Sequence, residues 1–418
     1  MSFSTTRAWN QAPRTRVVIT GIGLTTPIGN SMREVSSSLR EGRHGIAIAP
    51  ELAKIEHMQT RLAAPITNLT LNYPRKRTRT MGRVSLLSLY ATEQAIADAG
   101  ISEEVLSNGR TGVAYGSTNG SSAANEEWSR KLFVHKGIQG IQSTEYIKFM
   151  SHTTAANLAI FYGITGRVIS TCSACVSASQ AVGAGYETIR AGIQDVMLVG
   201  GAEEFHYSHS AIFDIMYATS RRNDTPDLTP RPFDKGRDGL VIGEGAATFV
   251  LESYERARAR GAHIHAEILG YGTNCDGTHV TNPSANGMAG SMLLALEDAE
   301  LTPDRIDYVN AHATATEVGD IAESLATAKV LGTTVPISST KSFTGHTLGA
   351  CGSIEAAFCV AMMRENWVAP NRTLDEVDAR CAPLNYVGKE PRDAKPRITM
   401  SNNFAFGGMN TSLILGAV

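Results

Sequence analysis

Short continuous apolar runs alternate along most of the chain with stretches in which apolar residues have helical spacing. Continuous apolar runs, such as residues 196–199 and 247–251, predict buried strands. Elsewhere apolar residues recur every three or four positions, as Ala178, Val182, Tyr186 and Ile189 do, which is typical of one face of a helix. Because strands and helices alternate, the pattern predicts an α/β fold with mostly parallel, buried sheets.

The pattern of strands and helices restarts near residue 265. In the first half, the predicted strands are 16–20, 113–117, 167–169, 196–199 and 247–251, and the predicted helices are 32–40, 84–99, 155–162 and one ending near Gly192. In the second half, the predicted strands are 266–270, 306–310, 335–339, 398–400 and 411–415, and the predicted helices are 287–300, 318–331 and one ending near Arg364. We therefore predict two related units, residues 15–264 and 265–418, with an inserted cap at 121–150 and a loose leader at 1–14.

Composition narrows the classes of protein to which the chain can belong. It has 418 residues, 42% of them apolar and 19% charged, enough for two core-bearing units. The formal net charge of -2 argues against nucleic-acid binding through overall charge. The polar N-terminus, the absence of a long apolar run and only six cysteines predict a cytoplasmic protein that does not insert into membranes.

Cys175 lies where a predicted strand turns into a predicted helix. Unpaired N–H groups and the positive end of the helix dipole favour a thiolate at such a position. The same N–H groups could hold an oxyanion that develops during a reaction. This placement indicates a nucleophile.

Other interpretations of Cys175 remain open at this point. A lone cysteine is usually a buried core residue. Cys172 and Cys175 also form a C-x-x-C pair, which can indicate redox chemistry or half of a zinc site. A zinc site needs two more ligands, and no second pair of suitable spacing follows.

Polar loops follow several predicted strands of the second half. His312 follows strand 306–310, Lys341 and His346 follow strand 335–339, and Phe406 begins a glycine-rich loop. Ligands of α/β sheets gather at the carboxyl ends of strands, so these loops can meet Cys175 there. Two neutral imidazoles could stabilise an oxyanion, and one could carry a proton. The alternatives are ordinary core or surface histidines, and a buried ion pair between Lys341 and Glu355.

Charged side chains also cluster outside this set of loops. The run from Arg75 to Arg83 contains five basic residues and no acid. Such a run is usually a solvated surface, but it could also dock an acidic partner. Asp234, Arg237 and Asp238 are predicted to form a structural ion-pair corner.

Several motifs together resemble those of one enzyme family. They are Ala174-Cys175, Val309-Asn310-Ala311-His312 with Thr314 and Thr316, Gly319-Asp320, Ser339 to His346 followed by Leu348-Gly349-Ala350, and Ser401-Asn402 with Phe404 to Gly408. In this order and spacing they resemble the elongating (type I/II) β-ketoacyl-acyl carrier protein synthases of the thiolase superfamily, over residues 15–418. The resemblance implies a thiolase-like fold: two βαβαβαββ halves forming a layered α-β-α-β-α sandwich.

The resemblance also implies a decarboxylative Claisen condensation and a role for each catalytic residue. Cys175 would accept an acyl group from acyl carrier protein, in an oxyanion hole made by the N–H groups of Cys175 and Phe406. His312 and His346 would stabilise the enolate that malonyl carrier protein yields on losing CO₂. Lys341 would set the electrostatics of this pair, and Phe406 would act as a gate.

Further binding residues and partners are implied by the same resemblance. Thr314 and Thr316 would bind the pantetheine arm of the substrate, with Phe404 beside them, and no separate cofactor is expected. Lys76, Arg79 and Arg222 would dock the acidic carrier protein. A structural monovalent cation, Na⁺ or K⁺, would lie at Asn310, Glu355, Ser401 and Asn402. A homodimer is expected.

Some residues depart from the family pattern. Ala313, Ala315, Ala405 and Met409 replace the usual glycine, serine, glycine and threonine. Asn119 stands where a small or apolar residue usually lines the acyl pocket. These changes leave the acyl substrate open between ordinary fatty acid elongation and an unsaturated or aryl-capped chain of a polyketide or aryl polyene type. The remaining alternatives are a non-catalytic ketosynthase partner subunit, which would lack the cysteine, and a thiolase acting on coenzyme A thioesters, which would place a second cysteine near Cys175.

Overall fold

The computed structural model describes residues 14–418, in which sixteen strands and fourteen α-helices are formed. The strands are β1 (Val17–Thr25), β2 (Ala47–Ile48), β3 (Leu62–Ala64), β4 (Thr111–Gly116), β5 (Val168–Thr171), β6 (Val196–Glu203), β7 (Ile242–Gly243), β8 (Gly245–Ser253), β9 (Ala266–Cys275), β10 (Tyr308–Asn310), β11 (Pro336–Ser338), β12 (Trp367–Val368), β13 (Asn385–Tyr386), β14 (Arg392–Asp393), β15 (Ile398–Phe404) and β16 (Met409–Gly416). The helices are α1 (Met32–Arg40), α2 (Arg75–Thr78), α3 (Arg83–Ala99), α4 (Glu103–Ser107), α5 (Ser122–Ser129), α6 (Ser143–Phe149), α7 (Thr153–Tyr162), α8 (Ser177–Arg190), α9 (Tyr207–Ile215), α10 (Tyr254–Ala259), α11 (Ala285–Ala299), α12 (Glu317–Leu331), α13 (Lys341–Thr344) and α14 (Cys351–Glu365). Apart from Arg14, the predicted leader lies outside the described residues.

Eleven strands follow one another in a single hydrogen-bonded order, β13-β11-β10-β15-β16-β9-β1-β8-β6-β4-β5. Strands of the first half fill one end of this order, strands of the second half fill the other, and β1 and β9 join them over three residue pairs. The pairs near both ends are parallel, whereas those around the junction are antiparallel. The prediction of mostly parallel sheets is therefore wrong for the centre.

Two helices form the middle layer of the fold. α8 and α14 pack against each other, and both also contact strands of the two halves. Residues 351–363 of α14 are all buried, as expected of a helix that is surrounded by protein. α3 and α7 cover the first half of the sheet from outside, and α11 does so for the second half, with α12 packed on it. This arrangement is the predicted α-β-α-β-α sandwich.

Two strands differ from their predictions. β1 continues through Gly21 and Gly23 to Thr25. Glycine is needed at Gly21 because α3 passes so close that a Cβ there would lie 2.1 Å from the carbonyl oxygen of Ala95. β5 is not buried: it ends the sheet, and Val168 is 45% exposed. One side of β5 is therefore an open strand edge.

The inserted cap consists of α5, a π-helical turn at 130–134 and α6. Trp128 packs on Phe133, Tyr146 and Phe149, with ring centroids 5.5–6.4 Å apart. Within residues 14–418, none of the helices combines the length and the apolar character needed to cross a membrane.

The predicted ion-pair corner divides into separate contacts. Asp234 pairs with Arg231 at 2.9 Å, and Arg237 pairs with Asp378 at 2.6 Å. Asp238 accepts hydrogen bonds from Ser220 and from the N–H of Arg221 instead. All three residues thus take part in structural ion pairs, since Asp238 also lies 3.6 Å from Arg222, but their charged partners are other residues.

Candidate active site

Cys175 lies in a single 3₁₀ turn, Ala174–Val176, between β5 and α8. Ala174 adopts a φ of 47°, a left-handed conformation that non-glycine residues rarely take. The hydroxyl of Ser177 holds the turn: it accepts from the N–H of Ser173 at 2.9 Å and donates to the carbonyl of Ala174 at 2.7 Å. The thiol is only 6% exposed.

The structure brings Cys175, His312 and His346 together. Nε2 of His346 lies 2.9 Å from Sγ of Cys175, within hydrogen-bond distance. The imidazole rings of His312 and His346 stand nearly perpendicular, with centroids 5.1 Å apart. One potential ligand atom from each of the three residues lies within 4.8 Å of the others. Cys175 thus forms one cluster with two histidines that follow it by 137 and 171 residues.

Backbone hydrogen bonds fix both histidines. The N–H groups of His312 and Ala313 donate to the buried carboxyl group of Glu323, at 2.9 and 2.7 Å. The N–H of His346 donates to the carbonyl of Val241 at 2.7 Å. The backbone of His312 is therefore held by Glu323 of α12, and that of His346 is held by Val241 of the first half.

Burial keeps the three reactive groups uncharged. It raises the pKa of the Cys175 thiol to about 12, against the opposing charge of Lys341. Burial, followed by the charge of Lys341, lowers the pKa of both His312 and His346 well below the usual range. The thiol is therefore protonated at rest and not the thiolate that a helix start favours, because loss of solvation outweighs the charge of Lys341 and the hydrogen bond from the N–H of Cys175.

Lys341 and Glu355 form a buried ion pair beside the two histidines. Nζ of Lys341 donates to Oε1 of Glu355, and the two side chains are 1% and 2% exposed. Nδ2 of Asn403 donates to the other carboxylate oxygen at 2.8 Å. Although burial opposes it, the charge of Glu355 raises the pKa of Lys341, so the ammonium group is retained.

The glycine-rich loop between β15 and β16 forms one wall of a cavity of about 430 Å³ that Cys175, His312 and His346 also line. The ring of Phe406 packs on Phe213 of α9, with centroids 5.4 Å apart. Within the described residues, neither the N–H of Cys175 nor that of Phe406 donates to another backbone group. The N–H of Cys175 contacts its own Sγ, and a substrate oxygen would displace no backbone partner from either N–H group.

Three predicted substrate-binding residues line the same cavity. Thr314 and Thr316 lie with their hydroxyl oxygens 3.1 Å apart, and Phe404 packs edge-on against His312 at 6.0 Å. The remaining lining residues on the α9 and β9 sides are largely apolar, among them Met216, Leu240 and Val280.

Asn119 does not line this cavity. It is exposed and belongs to a second cavity of about 320 Å³, the distal cavity. The residues that line the distal cavity are Asn119, Gly120, Ser121, Ser122, Asn125, Glu126, Ser129, Phe149, His206, Tyr207 and Ser208. The assignment of Asn119 to the acyl pocket thus stays a prediction.

The predicted docking residues lie at the surface. Lys76 in α2 and Arg79 just after it are exposed. Arg222 is half-buried, donates to the carbonyl of Gly236 at 2.8 Å and lies 3.6 Å from Asp238. Arg83, the last residue of the basic run, pairs with the buried Glu244 and is not free to dock a partner.

The four predicted cation ligands do not share one environment. Oδ1 of Asn310 and Oγ of Ser401 are buried without hydrogen-bond partners among the described residues, and these two residues are paired in register between β10 and β15. Glu355 is engaged by Lys341 and Asn403, whereas Asn402 accepts from Ser412 at 2.8 Å. Asn310 and Ser401 thus fit a cation that prefers oxygen ligands better than Glu355 or Asn402 does.

The sequence analysis missed several buried groups around the site: Glu203, Glu323, Cys351 and Asn403. Glu203 accepts from the N–H groups of Thr118 and Gly349, at 2.9 and 3.0 Å. Burial raises the pKa of Glu203 to about 7 and that of Glu323 to about 8. Both glutamates lie on otherwise apolar strand or helix faces, and this position in the sequence could have indicated them, since buried acids need specific partners.

The other cysteines have separate surroundings. Cys172 is exposed, and its thiol donates to the carbonyl of Thr118 at 3.0 Å. Cys351 donates to the backbone carbonyl of Cys175 at 3.2 Å and does not line the cavity of Cys175. The second thiol that a thiolase would require in this cavity is thus replaced by the two histidines.

Comparison with known proteins identifies the family. The sequence model of the Beta-ketoacyl synthase N-terminal domain matches residues 14–257, and that of the C-terminal domain matches residues 265–375. The chain belongs to the beta-ketoacyl synthase family. This beta-ketoacyl synthase is accordingly an acyltransferase.

Individual relatives of this beta-ketoacyl synthase agree with that assignment. It is 39% identical to 3-oxoacyl-[acyl-carrier-protein] synthase 1 of Haemophilus influenzae, over 96% of this chain and 98% of the relative. A crystal structure of a Beta-ketoacyl synthase from Burkholderia phymatum is 52% identical, with a TM-score of 0.94, and covers 97% of this chain and 100% of that chain. A ketosynthase solved in complex with its type II PKS acyl-carrier protein is 29% identical, with a TM-score of 0.88, over 97% and 100% of the two chains.

Proposed function

We propose that this beta-ketoacyl synthase is a 3-oxoacyl-[acyl-carrier-protein] synthase of chain elongation, which condenses an acyl group on Cys175 with malonyl carrier protein. The observation that carries the proposal is the cluster of one thiol and two neutral imidazoles in a buried cavity. Nε2 of His346 at 2.9 Å from Sγ of Cys175 supplies a proton acceptor, and the cavity excludes bulk water from the reacting atoms.

Acylation of Cys175 is the first step. His346 takes the thiol proton as sulfur attacks the thioester carbon of an acyl carrier protein, and the N–H groups of Cys175 and Phe406 receive the negative oxygen. The new C–S bond forms on Cys175, the old C–S bond breaks, and the pantetheine sulfur leaves with a proton. Phe406 moves to admit the acyl chain.

Condensation is the second step. Malonyl carrier protein loses CO₂, and the electrons of the broken C–C bond form an enolate whose oxygen accepts hydrogen bonds from the imidazoles of His312 and His346. The enolate carbon attacks the Cys175 thioester, the C–S bond to Cys175 breaks, and the thiolate that leaves takes up one proton from solvent water through His346. Neutral imidazoles suit this step, because they donate hydrogen bonds without placing a full charge beside the leaving sulfur.

Lys341 has an electrostatic role in the proposed reaction. Its ammonium group lowers the pKa of both histidines, which supports the neutral state on which enolate stabilisation depends. Glu355 balances the buried charge, and Asn403 orients Glu355. Lys341 therefore acts through the imidazoles.

An acyl carrier protein is the proposed partner. The exposed positive charges of Lys76 and Arg79, with Arg222 beside Asp238, support docking of an acidic protein. Charge reversal of Lys76 and Arg79 to Glu should raise KM for the carrier protein about tenfold and leave kcat unchanged. Arg33→Glu, on α1, is the matched control; an equal rise in KM for that variant would reject the docking surface.

A homodimer is proposed from the open edge of the sheet. β5 pairs with β4 on one side alone, and Val168 and Ile160 nearby are 45% and 78% exposed. A second copy of β5 could continue the sheet and cover these side chains.

A structural Na⁺ or K⁺ is a further part of the proposal. The unpartnered oxygens of Asn310 and Ser401 support it, and the ion would tie the end of β10 to the middle of β15. A higher Tm in KCl or NaCl than in tetramethylammonium chloride of equal concentration is expected. Equal Tm values would argue against the ion.

The free thiols of all six cysteines support the predicted cytoplasmic location.

The decisive experiment is intact-mass measurement after incubation with acyl carrier proteins. The native protein should gain the mass of one acyl group and form 3-oxoacyl product with malonyl carrier protein. Cys175→Ala should do neither, whereas Cys172→Ala, the exposed thiol three residues away, should behave as native. Condensation by Cys175→Ala would reject the proposed function and favour a non-catalytic role for this thiol.

A further inference from the structure

Glu203 is the last residue of β6, and its side chain is fully buried. One carboxyl oxygen, Oε2, accepts two backbone hydrogen bonds, from the N–H of Thr118 at 2.9 Å and from the N–H of Gly349 at 3.0 Å. Thr118 follows β4 in the first half of the chain, whereas Gly349 lies in the 3₁₀ turn 348–350 of the second half. A single oxygen atom therefore joins segments of both halves.

The turn that Glu203 holds has a strained backbone. Leu348 adopts a φ of 44°, in the left-handed region that residues other than glycine rarely take. Ala174, directly before Cys175, has a φ of 47°. Backbone conformations of this kind persist only where the surrounding structure holds them. The hydrogen bond from Gly349 to Glu203 is one such restraint on the turn 348–350.

The turn 348–350 lies between two groups that contact Cys175. It packs against the 3₁₀ turn that carries Cys175. His346 stands two residues before Leu348 in the sequence, and its Nε2 lies 2.9 Å from Sγ of Cys175. On the other side of the turn, the thiol of Cys351 donates to the carbonyl of Cys175 at 3.2 Å. A displacement of this turn would therefore move His346 relative to the reactive sulfur.

Thr118 links Glu203 to the segment on the other side of Cys175. The carbonyl of Thr118 accepts from the thiol of Cys172 at 3.0 Å, while its N–H donates to Glu203. Cys172 comes three residues before Cys175. Glu203 is thus connected to the sulfur and to the imidazole through separate hydrogen bonds.

The geometry indicates that Glu203 acts as a hydrogen-bond acceptor and not through its charge. Its second oxygen, Oε1, has no hydrogen-bond partner within residues 14–418, and burial raises the pKa of Glu203 to about 7. A proton taken up at Oε1 leaves Oε2 able to accept both N–H groups. Burial raises the pKa of the Cys175 thiol, and the negative charge of Glu203 adds to that rise. The charge therefore opposes activation of the sulfur, whereas the reach of Oε2 supports it.

We propose that Glu203 is a positioning residue, which holds the turn 348–350 and the segment at Thr118 so that His346 stays within hydrogen-bond distance of Cys175. Glu203 is absent from the lining of the Cys175 cavity and acts through these two segments, without contact to the substrate. Its effect on turnover rests on the proposed function, but its effect on the sulfur–imidazole distance does not. A small displacement of a catalytic group is enough to slow a reaction strongly.

Two conservative substitutions separate the reach of Glu203 from its charge. Glu203→Asp keeps the charge but is one methylene group shorter, so kcat for condensation should fall about tenfold or more, with KM for malonyl carrier protein within about twofold of native. Glu203→Gln loses the charge but keeps an oxygen at the position of Oε2, so its kcat should stay within about threefold of native. Steady-state kinetics measure both variants.

Alkylation of Cys175 by iodoacetamide at pH 7 provides a measurement that does not depend on turnover. Glu203→Asp should slow alkylation to about the rate of His346→Ala, because the imidazole no longer receives the thiol proton. Glu203→Gln should react at least as fast as the native protein, since a negative charge near the sulfur is removed. Peptide mass spectrometry measures the rates.

The neighbouring Glu204 is the matched control. It is 1% exposed and also accepts from two backbone N–H groups, those of Val84 and Ala123, but these belong to α3 and α5. Glu204→Asp should leave kcat within about threefold of native and alkylation unchanged.

Three outcomes would overturn the inference: native kcat and alkylation in Glu203→Asp, equal losses in Glu203→Asp and Glu203→Gln, or equal losses in Glu203→Asp and Glu204→Asp. The second would assign the effect to charge, and the third to any buried carboxyl group of β6 or its end. A native protein that fails to condense would reject the proposed function, while the alkylation rates would still decide whether Glu203 places His346.

Discussion

At the scale of single residues, burial and nearby charge have opposite effects on the protonation of the Cys175 thiol. Burial raises its pKa to about 12, while the Lys341 ammonium group and the N–H of Cys175 act in the opposite direction. The proton therefore stays on sulfur near pH 7. His346, 2.9 Å away, provides the route by which the proton leaves when a substrate carbonyl arrives.

This balance predicts the pH dependence of alkylation. A thiol with a raised pKa is mostly protonated throughout the neutral range, so its thiolate fraction grows about tenfold for each pH unit up to that pKa. The rate of iodoacetamide alkylation at Cys175 should thus rise from pH 6 to pH 10 without a plateau. Peptide mass spectrometry measures it, with Cys175→Ala for background. A plateau below pH 8 would instead show a thiolate–imidazolium pair at rest.

The buried pair of Lys341 and Glu355 predicts an asymmetry between single and double substitutions. Lys341→Met leaves a buried carboxylate without its partner and should cost about 3–5 kcal/mol in the free energy of unfolding. Lys341→Met with Glu355→Leu should recover most of that loss, because no isolated charge remains. Denaturant unfolding measures both. A double variant as unstable as the single one would show that packing, not charge, sets the loss.

At the scale of elements, the loop between β15 and β16 places one oxyanion donor. Gly407 and Gly408 both adopt positive φ angles, 87° and 73°. They differ in space: a Cβ at Gly408 would lie 2.1 Å from Oδ1 of Asp276, whereas one at Gly407 would meet only the end of Met409 at 3.6 Å. Alanine substitutions at Gly407 and Gly408 therefore distinguish the effect of backbone strain, which both share, from the effect of a steric clash, which only Gly408 has.

Gly408→Ala forces the Asp276 side chain and the loop apart, and because the loop carries the N–H of Phe406, kcat should fall at least tenfold. Gly407→Ala shares the unfavourable φ but has room for the methyl group, so its kcat should fall by less than threefold. Steady-state kinetics of the two variants decide the matter. Equal losses would mean that strain alone matters.

At the scale of the whole molecule, the open edge of β5 predicts the oligomeric state. Val168→Lys would place a charge at the surface that a second copy is proposed to cover, so it should convert the dimer to a monomer. Light scattering coupled to size-exclusion chromatography measures the mass. Ile48→Lys, at an exposed strand of another sheet, is the control. A native monomer, or an unchanged Val168→Lys dimer, would reject the β5 interface.

The sequence was informative wherever a pattern has a local cause. Strands and helices of the central layers follow from apolar runs, and the positions of Cys175, His312 and His346 follow from their place after strands. The antiparallel pairing around β1 and β9 could not be predicted from the sequence, because the relative direction of these strands depends on how the two halves join. The protonated state of Cys175 was also missed, since its burial comes from α14, β15, β16 and the turn at 348–350, all in the second half.

The same limit applies to binding residues. Thr314 and Thr316 are local to His312 and line its cavity. Asn119 was assigned by resemblance alone, and the cap at α5 and α6 places it beside Ser122 and Phe149 instead. Partners such as Glu323 for His312 lie eleven residues away in another element, and no local spacing indicates that contact.

The protonated, covered sulfur of Cys175 has a consequence for survival under oxidative stress. Peroxides attack thiolates, so a sulfur that keeps its proton reacts slowly, whereas the surface thiol of Cys172 meets oxidants directly. Between turnovers the enzyme thereby shields its least replaceable atom from irreversible damage. That atom is at risk chiefly during the brief interval in which an imidazole holds its proton.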